Sequence, residues 1–411
     1  MPGSVYAVAT MDTKGHELAY LASRLRAMGV EVRTVDVGTL GPPVAPPDID
    51  RGTVLGAASP AARVDPAGSR DRGEAIVVLA EALEHFLVRE HRAGDVGGVI
   101  GIGGSGGTAL ITRAMRALPV GLPKLMVSTV ASGHTAPYVG CSDITLMYSV
   151  VDVAGLNSVS RRIFGNAAAA MAGMVRQPPI EEADRPALGL TMFGVTTPCV
   201  TAVREALEGH GYDCLVFHAT GTGGQAMEKL VAAGFIRGVL DLTTTEVADL
   251  LVGGVFPCGS GRFEPILEAR IPFVLSLGAL DMVNFGAMAS VSEPFRTRRL
   301  HVHNPQVTLM RTTPEENAAC ARWIAAKLNR AKAPFVVLIP EGGVSALDAP
   351  GFPFHDPDAD RALFGELEVA LAGNPFGRVH RLPCHINDQA FAEAAVREFL
   401  ALVERPGEPA R

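Results

Sequence analysis

The sequence lacks the features that mark membrane, metal-binding and nucleic-acid-binding chains. No segment approaches the roughly 18 uninterrupted apolar residues of a membrane helix. The six cysteines include no C-x-x-C pair, so no zinc or redox motif is present and we expect free thiols in a reducing compartment. The net charge of −7 gives no bulk attraction to nucleic acid. The start of the chain lacks a signal-peptide pattern, and we expect a cytoplasmic protein with no nucleic-acid or membrane partner.

Glycine and apolar residues, in contrast, are plentiful. The chain has 45 glycines among 411 residues, and hydrophobic residues make up 48% of it. This composition is ordinary for a globular protein with substantial cores. The glycine content suits an α/β protein with many tight turns, and the length predicts two or three domains.

Five of the glycines lie in one run of eight residues, 101–108 (Gly-Ile-Gly-Gly-Ser-Gly-Gly-Thr). The run follows a predicted buried strand and precedes a predicted helix. Glycines at such a junction let backbone N–H groups point at an anion, usually phosphate, at the helix N-terminus. The predicted ligands here are Gly103, Gly104, Ser105, Gly106, Gly107 and Thr108. No Gly-Lys-Ser/Thr follows, so the loop is not a Walker A motif. A tight turn without a ligand is the alternative.

The periodicity of apolar residues predicts a repeated α/β pattern. A strand at 5–10, a turn at 11–15, a helix ending at Gly29 and a strand at 30–37 form a parallel βαβ unit. Residues 39–72 are rich in Pro, Gly and Ala and are predicted to form a flap. A Pro-rich linker near 177–186 follows, and an offset of 182 residues then superposes Gly29 on Gly211. We therefore predict two similar doubly wound, Rossmann-like parallel-sheet domains, 1–180 and 186–411, with an interdomain cleft.

Polar residues follow the predicted strands in both halves, where parallel sheets usually bind ligands. In the first half we expect Asp12, Thr13, Ser128 and Ser132 to contribute to the cofactor site. The second half contains a further glycine loop, for which a simple turn and an anion site are equally open interpretations. It also contains a threonine cluster at the position that matches the first glycine loop in the repeated pattern. The residues concerned are Thr220, Gly221, Thr222, Gly223, Gly224, Thr243, Thr244 and Thr245. An N-cap is the alternative role for Thr244 or Thr245.

Three side chains are candidates for catalysis. Lys14 could pair with phosphate oxygens, His218 could act as an acid or base, and Glu246 could act as a carboxylate. The alternatives are a solvated lysine, a structural histidine and an ion-pair partner. Mg²⁺ favours one or two carboxylates together with phosphates. The candidates for that role are Asp12, Asp143, Glu246 and Asp281, and the ligand set stays open.

Several of these motifs together resemble one family. They are 9–15, 101–108, 191–198, 217–224, 241–246 and 303–305. The chain resembles the uncharacterised bacterial and plant family that includes the ATP-binding N-terminal half of the tomato mosaic virus resistance protein. The resemblance implies ATP bound at the glycine-rich loops and a homodimer. The plant protein resembles a fusion with a barrel-like enzyme domain, so a separate barrel-type partner is a further expectation here.

These observations favour an ATP-binding protein, an enzyme that uses ATP and Mg²⁺ to activate or phosphorylate a small metabolite. Two alternatives stay open. One is a non-enzymatic nucleotide-binding or sensor module. The other is a lyase- or hydrolase-like enzyme whose anion loops hold an acidic substrate and no nucleotide.

Overall fold

A computed structural model describes residues 3–39, 41–57, 72–178 and 185–404. The chain divides into two compact units, residues 1–181 and 182–411. Each unit contains its own parallel sheet, so the predicted two-domain α/β fold class is confirmed. Among the described residues, no helix is both long and apolar enough to cross a membrane.

Unit 1 contains a five-stranded parallel sheet. Its strands are β1 (Ser4–Ala9), β2 (Val32–Asp36), β3 (Val96–Gly103), β4 (Lys124–Ser128) and β5 (Thr145–Tyr148). Their order across the sheet is β2-β1-β3-β4-β5. All neighbours run parallel, with Val8 of β1 opposite Gly101 of β3. The chain reverses its direction of winding between β1 and β3, which is where open α/β sheets bind ligands.

Helices cover both faces of this sheet. They are α1 (Met11–Ala27), α2 (Arg51–Leu55), α3 (Arg72–Arg92), α4 (Ser105–Ala117), α5 (Ala136–Val139) and α6 (Ser158–Arg176). One apolar cluster packs α3 and α4 against the sheet, and a second packs α1 and α6 against its other face. Gly29 follows the end of α1 with a φ of 73°, as a glycine just after a helix predicts.

Two sequence predictions in unit 1 need correction. Residues 11–15, predicted as a turn, begin α1, although Lys14 departs from helical geometry with a φ of −125°. Within the predicted flap at 39–72, the described residues 41–57 are anchored, and Arg72 already belongs to α3. Ile49 forms a parallel bridge with Val35, and the Val44 N–H donates to the Met11 carbonyl. Residue 40 and residues 58–71 of the predicted flap lie outside the described part of the chain.

Unit 2 repeats the winding of unit 1. Its parallel strands are β6 (Ala187–Met192), β7 (Asp213–His218), β8 (Ile236–Thr243), β9 (Phe273–Gly278), β13 (Phe335–Pro340) and β14 (Gly377–Leu382). The order β7-β6-β8-β9-β13-β14 matches unit 1 strand for strand, with one strand added. Between β9 and β13 the chain inserts an antiparallel sheet of β10 (Met282–Phe285), β11 (Leu300–Asn304) and β12 (Val307–Arg311).

The helices of unit 2 also form two layers. They are α7 (Thr197–Gly209), α8 (Thr222–Ala232), α9 (Thr245–Val252), α10 (Glu264–Ala269), α11 (Pro314–Leu328), α12 (Pro357–Leu371) and α13 (Gln389–Glu404). α7 and α13 pack on one face, and α8 to α12 pack on the other. Thr313 caps α11 in a reciprocal capping box with Glu316, as the Thr-Pro-Glu-Glu sequence predicts.

Candidate functional site

The glycine run of unit 1 lies at the reversal point of the sheet. β3 ends at Gly103, Gly104 is the N-cap of α4, and Ser105 opens the helix. Beside it, the end of β1 leads into the first turn of α1. The topology therefore brings the loop 103–107 and the segment 10–14 to adjacent strand ends.

Backbone amides at the start of α4 are available to an anion. The first internal bond of the helix runs from the Thr108 N–H to the Gly104 carbonyl, 2.8 Å. Among the described residues, no group accepts from the amides of Ser105, Gly106 or Gly107, and no side chain caps the helix. Three N–H groups at the positive end of a 13-residue helix dipole have the geometry and charge that favour an anion.

Some glycines of the run are required by packing. A Cβ on Gly101 would lie 2.6 Å from the sulfur of Met126, and one on Gly103 would lie 3.2 Å from the Cα of Gly107. A Cβ on Gly106 would lie 3.1 Å from the end of a flexible isoleucine side chain. Close approach of other residues of the same chain therefore accounts for Gly101 and Gly103.

Gly104 and Gly107 have no such requirement. The nearest described atom to a Cβ on Gly104 is 3.8 Å away, and for Gly107 it is 3.9 Å away. Neither residue has a positive φ. Gly107 lies in the first turn of α4, and the described residues do not require glycine there. A ligand that approaches the backbone closely would be one reason for a glycine at this position.

The hydroxyl groups around the loop divide into bound and exposed ones. Thr108 and Ser128 are buried and hydrogen-bond each other, 2.6 Å, and the Ser128 hydroxyl also accepts from the Val130 N–H. These two predicted ligands hold the loop in place. Ser105 and Ser132 are exposed, so their hydroxyls are accessible to solvent.

The segment after β1 is held by carboxylates. Asp36, at the end of β2, accepts from the amides of Met11 and Gly38 at 3.0 and 2.8 Å, and burial raises the pKa of its carboxyl. Asp12 accepts from the Thr39 amide, 3.0 Å. Asp36 therefore connects the ends of β1 and β2 through hydrogen bonds, a role that the sequence did not suggest.

Thr13 and Lys14 lie on the accessible side of the same segment. Thr13 is exposed, and its hydroxyl lies 3.2 Å from that of Thr10. Lys14 is half-buried at the point where the first turn of α1 deviates from helical geometry. The structure therefore brings Lys14 to the strand end beside the glycine loop.

The second glycine loop, 220–224, differs from the first. Gly221 has a φ of 76°, and a Cβ there would meet the Pro257 carbonyl. A Cβ on Gly223 would overlap the His218 backbone, and one on Gly224 would overlap the Glu246 carboxylate. All three glycines are thus required by the chain itself. The sequence could not separate the two loops, because only the fold shows what each missing Cβ would meet.

Thr220, Thr222 and His218 lie around this second loop. The Thr220 hydroxyl donates to the His218 carbonyl, 3.4 Å, and Thr222 is exposed. The exposed His218 ring packs edge-on against Phe193 with 5.2 Å between ring centroids. The His218 ring is therefore accessible to solvent, and on one side it contacts an aromatic ring.

Threonines fill the strand ends of unit 2 where unit 1 has glycines. Thr243, Thr244 and Thr245 are fully buried. The Thr243 hydroxyl lies 2.8 Å from that of Thr196, and the Thr244 hydroxyl donates to the Ser276 carbonyl. The reversal point of unit 2 is therefore closed by its own side chains, in contrast to the glycine-lined loop of unit 1.

Glu246 belongs to a buried ionic cluster around Arg262. The guanidinium contacts Glu228 at 2.7 Å and both Asp241 and Glu246 at 2.6 Å. Glu246 also accepts from the Gly221 amide, 2.7 Å, so it supplies the negative charge at the start of α8. Burial raises the pKa of Glu228 and of Glu246 against the opposing effect of Arg262. Burial also opposes the charge on Arg262, but the three carboxylates outweigh it and raise its pKa.

A second buried cluster surrounds Arg311. Its guanidinium lies 2.7 Å from Asp360 and 3.6 Å from Asp348, and the Ser345 hydroxyl donates to Asp281, 2.7 Å. Burial, reinforced by the charge of Asp348, raises the pKa of Asp281 and of Asp360 to about 7. Sequence reasoning missed both arginines, because their partners are distant in sequence and no local pattern identifies them.

Three of the carboxylates considered for Mg²⁺ have other partners within their own units. Asp143 pairs with the buried ammonium of Lys124, 2.7 Å, while Glu246 and Asp281 belong to separate clusters. In the described ranges, no group of three or more His, Cys, Asp or Glu is placed to hold a metal ion.

The described free cysteines include the buried Cys199 and Cys258, and burial raises the pKa of both thiols to about 12.

Comparison with known proteins places the whole chain in one group. Residues 3–179 match the N-terminal domain, and residues 185–403 the C-terminal domain, of Uncharacterised protein family (UPF0261). A UPF0261 protein of Rhizobium meliloti is 55% identical over 395 residues, covering 96% of this chain and 98% of that protein. The ToMV susceptible protein tm-1(GCR26) of Solanum lycopersicum is 48% identical over 423 residues, covering 98% of this chain and 56% of that protein. The ToMV resistance protein Tm-1(GCR237) is similar to the same degree, with 55% of its length covered.

Proposed function

We propose that this chain, which belongs to the uncharacterised protein family UPF0261, binds ATP with its polyphosphate at the first turn of α4. The family resemblance expected from the sequence motifs is confirmed by the relatives. The chain spans 56% and 55% of the two tomato relatives, so the roles of those whole proteins are not carried over to it.

One observation carries the proposal. Gly104 and Gly107 are glycines that neither the backbone conformation nor the packing of the described residues requires. They flank the amides of Ser105 and Gly106, for which no described residue is an acceptor. A phosphate oxygen accepts from such amides, and the absent Cβ atoms give it room to approach.

Neighbouring side chains supply charge and orientation. Lys14, at the adjacent strand end, provides an ammonium for a phosphate oxygen. Asp12, in the same first turn of α1, is the candidate among the sequence-predicted carboxylates for a Mg²⁺ that also contacts phosphates and water. ATP held there would supply a phosphoryl or nucleotidyl group for activating a small metabolite. A non-enzymatic sensor would bind ATP equally well without turnover.

The remaining expectations stay predictions. They are a homodimer, a separate barrel-type partner, a cytoplasmic location and a cleft shared by the two domains. The roles of His218 and Glu246 in catalysis also stay predictions. For Glu246, the ionic cluster around Arg262 supports a structural role instead.

Titration calorimetry of the full chain tests the proposal. With MgATP and with magnesium tripolyphosphate, we expect saturable binding, weakened in Gly104→Ala. Gly165→Ala is the matched control, because Gly165 lies within α6, has no positive φ, and has no described atom within 4 Å of the position that a Cβ would occupy. Equal affinity of Gly104→Ala and wild type for both ligands would overturn the phosphate assignment.

A further inference from the structure

Val150 follows β5 in a conformation that valine rarely adopts. Its φ is 63°, in the left-handed region where a β-branched side chain is strongly disfavoured. Glycine or asparagine would occupy this position with less strain. The valine side chain therefore has a conformational cost at this position.

The chain itself supplies little of that contact. Val150 is 58% exposed, and the preceding apolar side chain, Tyr148, is 43% exposed. Burying a valine side chain is favourable, but here more than half of it faces solvent. The folded chain therefore gains nothing from valine at this position that it would lose with glycine.

The backbone around Val150 is nevertheless well fixed. The Ser149 amide donates to the Ser128 carbonyl, 3.1 Å, and the Ser149 hydroxyl donates to the Val151 carbonyl, 2.6 Å. The Val151 amide donates back to the Ser149 carbonyl, 2.7 Å. These bonds hold the valine in one place, which is typical of strain retained at functional positions.

The same bonds connect Val150 to the glycine loop. Ser128, whose carbonyl accepts from Ser149, also bonds Thr108 in the first turn of α4 through its hydroxyl. β5 and β3 are separated by β4 alone, so their carboxyl ends lie about 10 Å apart at the usual spacing of neighbouring strands. A nucleotide with its phosphates on α4 can extend across that separation along the edge of the sheet.

We infer that Val150 is a nucleotide-binding residue that packs its side chain against the apolar face of the nucleotide base. This inference rests on the proposed phosphate site and extends it to the other end of the ligand. Aromatic bases present an apolar face, and an exposed branched side chain held rigidly at the edge of the sheet complements it. Contact with the base would offset the strain that the free protein retains.

The test compares two ligands in the full chain. Val150→Asn keeps a branched side chain of similar reach, tolerates a positive φ and removes the apolar contact. We expect its affinity for MgATP to fall about five-fold, the loss for part of a valine side chain, with unchanged affinity for magnesium tripolyphosphate. Val150→Gly should show the same fall in MgATP affinity and the same unchanged affinity for magnesium tripolyphosphate. Val369→Asn is the control, since Val369 is 78% exposed on α12 of unit 2.

The outcomes separate this inference from the proposed function. Unchanged ATP affinity in both Val150 variants, with wild-type binding of both ligands, would overturn the inference alone. An equal loss for ATP and tripolyphosphate would also overturn it, because a base contact cannot act on a ligand without a base. If wild type binds neither ligand, the phosphate site and the base contact both fail.

Discussion

Gly107→Ala should move stability and ligand affinity in opposite directions. Gly107 is the third residue of α4, and a Cβ there would meet nothing closer than the Ile102 carbonyl oxygen, 3.9 Å away, among the described atoms. Alanine fits this helical backbone and restricts the unfolded chain, so the free energy of unfolding should rise by about 0.4–1 kcal/mol. For a unit of this size, that corresponds to a rise in Tm of roughly 1–4 °C.

The same methyl group should obstruct a phosphate. If it displaces an oxygen from one charge-assisted amide bond, about 1.5–3 kcal/mol is lost. MgATP affinity should then fall about ten- to a hundred-fold. Thermal unfolding without ligand and calorimetry with MgATP measure the two effects on one preparation. Gly165→Ala should reproduce the gain in stability without the loss of affinity.

Two results would refute this reasoning. An unchanged ATP affinity in a stabilised Gly107→Ala variant would show that no phosphate approaches the backbone at this residue. A destabilised variant would show that an unrecognised packing constraint, and not a ligand, accounts for the glycine.

Three further predictions concern unit 2 and the roles of its charged groups. Arg262→Met should destabilise the chain by about 3–5 kcal/mol in urea unfolding at pH 7, because it leaves three buried carboxylates unpaired. The control Arg237→Met changes an exposed side chain of β8 and should have little effect. Equal stability of the two variants would contradict the role of the cluster. Glu246→Gln should lower the urea midpoint without weakening tripolyphosphate binding, whereas full stability with lost turnover would instead support a catalytic Glu246. Asp281 and Asp360 have pKa values raised to about 7 in the folded chain, so the folded state binds more protons than the unfolded chain between about pH 4 and 7. The stability that these groups contribute should therefore be greatest near pH 4 and be lost as pH rises through about 7, and Asp281→Asn should flatten that slope; the same slope in the variant would exclude Asp281 as its source.

The sequence predicted the alternation of strands and helices because buried strands and amphipathic helices have distinct apolar periods. The glycine after α1 and the capping box at Thr313 marked element ends for similarly local reasons. The matching strand orders of the two units agree with the internal repeat inferred from spacing. The antiparallel sheet between β9 and β13 was not predicted as a sheet, since its pairing depends on contacts outside any one segment.

The candidate site was only partly predictable. Two loops of similar glycine content were found, but the fold shows that Gly223 and Gly224 approach their own chain while Gly104 and Gly107 do not. Glu246 looked like a catalytic carboxylate until its partner was visible, because Arg262 follows it by 16 residues with no motif between them. The strain at Val150 has no sequence signal, since φ depends on the hydrogen bonds that fix the loop.

A crystal structure of the full chain with Mg²⁺ and a non-hydrolysable ATP analogue tests the central claim most directly. The account predicts phosphate oxygens about 2.7–3.2 Å from the amides of Ser105, Gly106 or Gly107. Phosphates bound elsewhere, with these three amides facing only solvent, would contradict it.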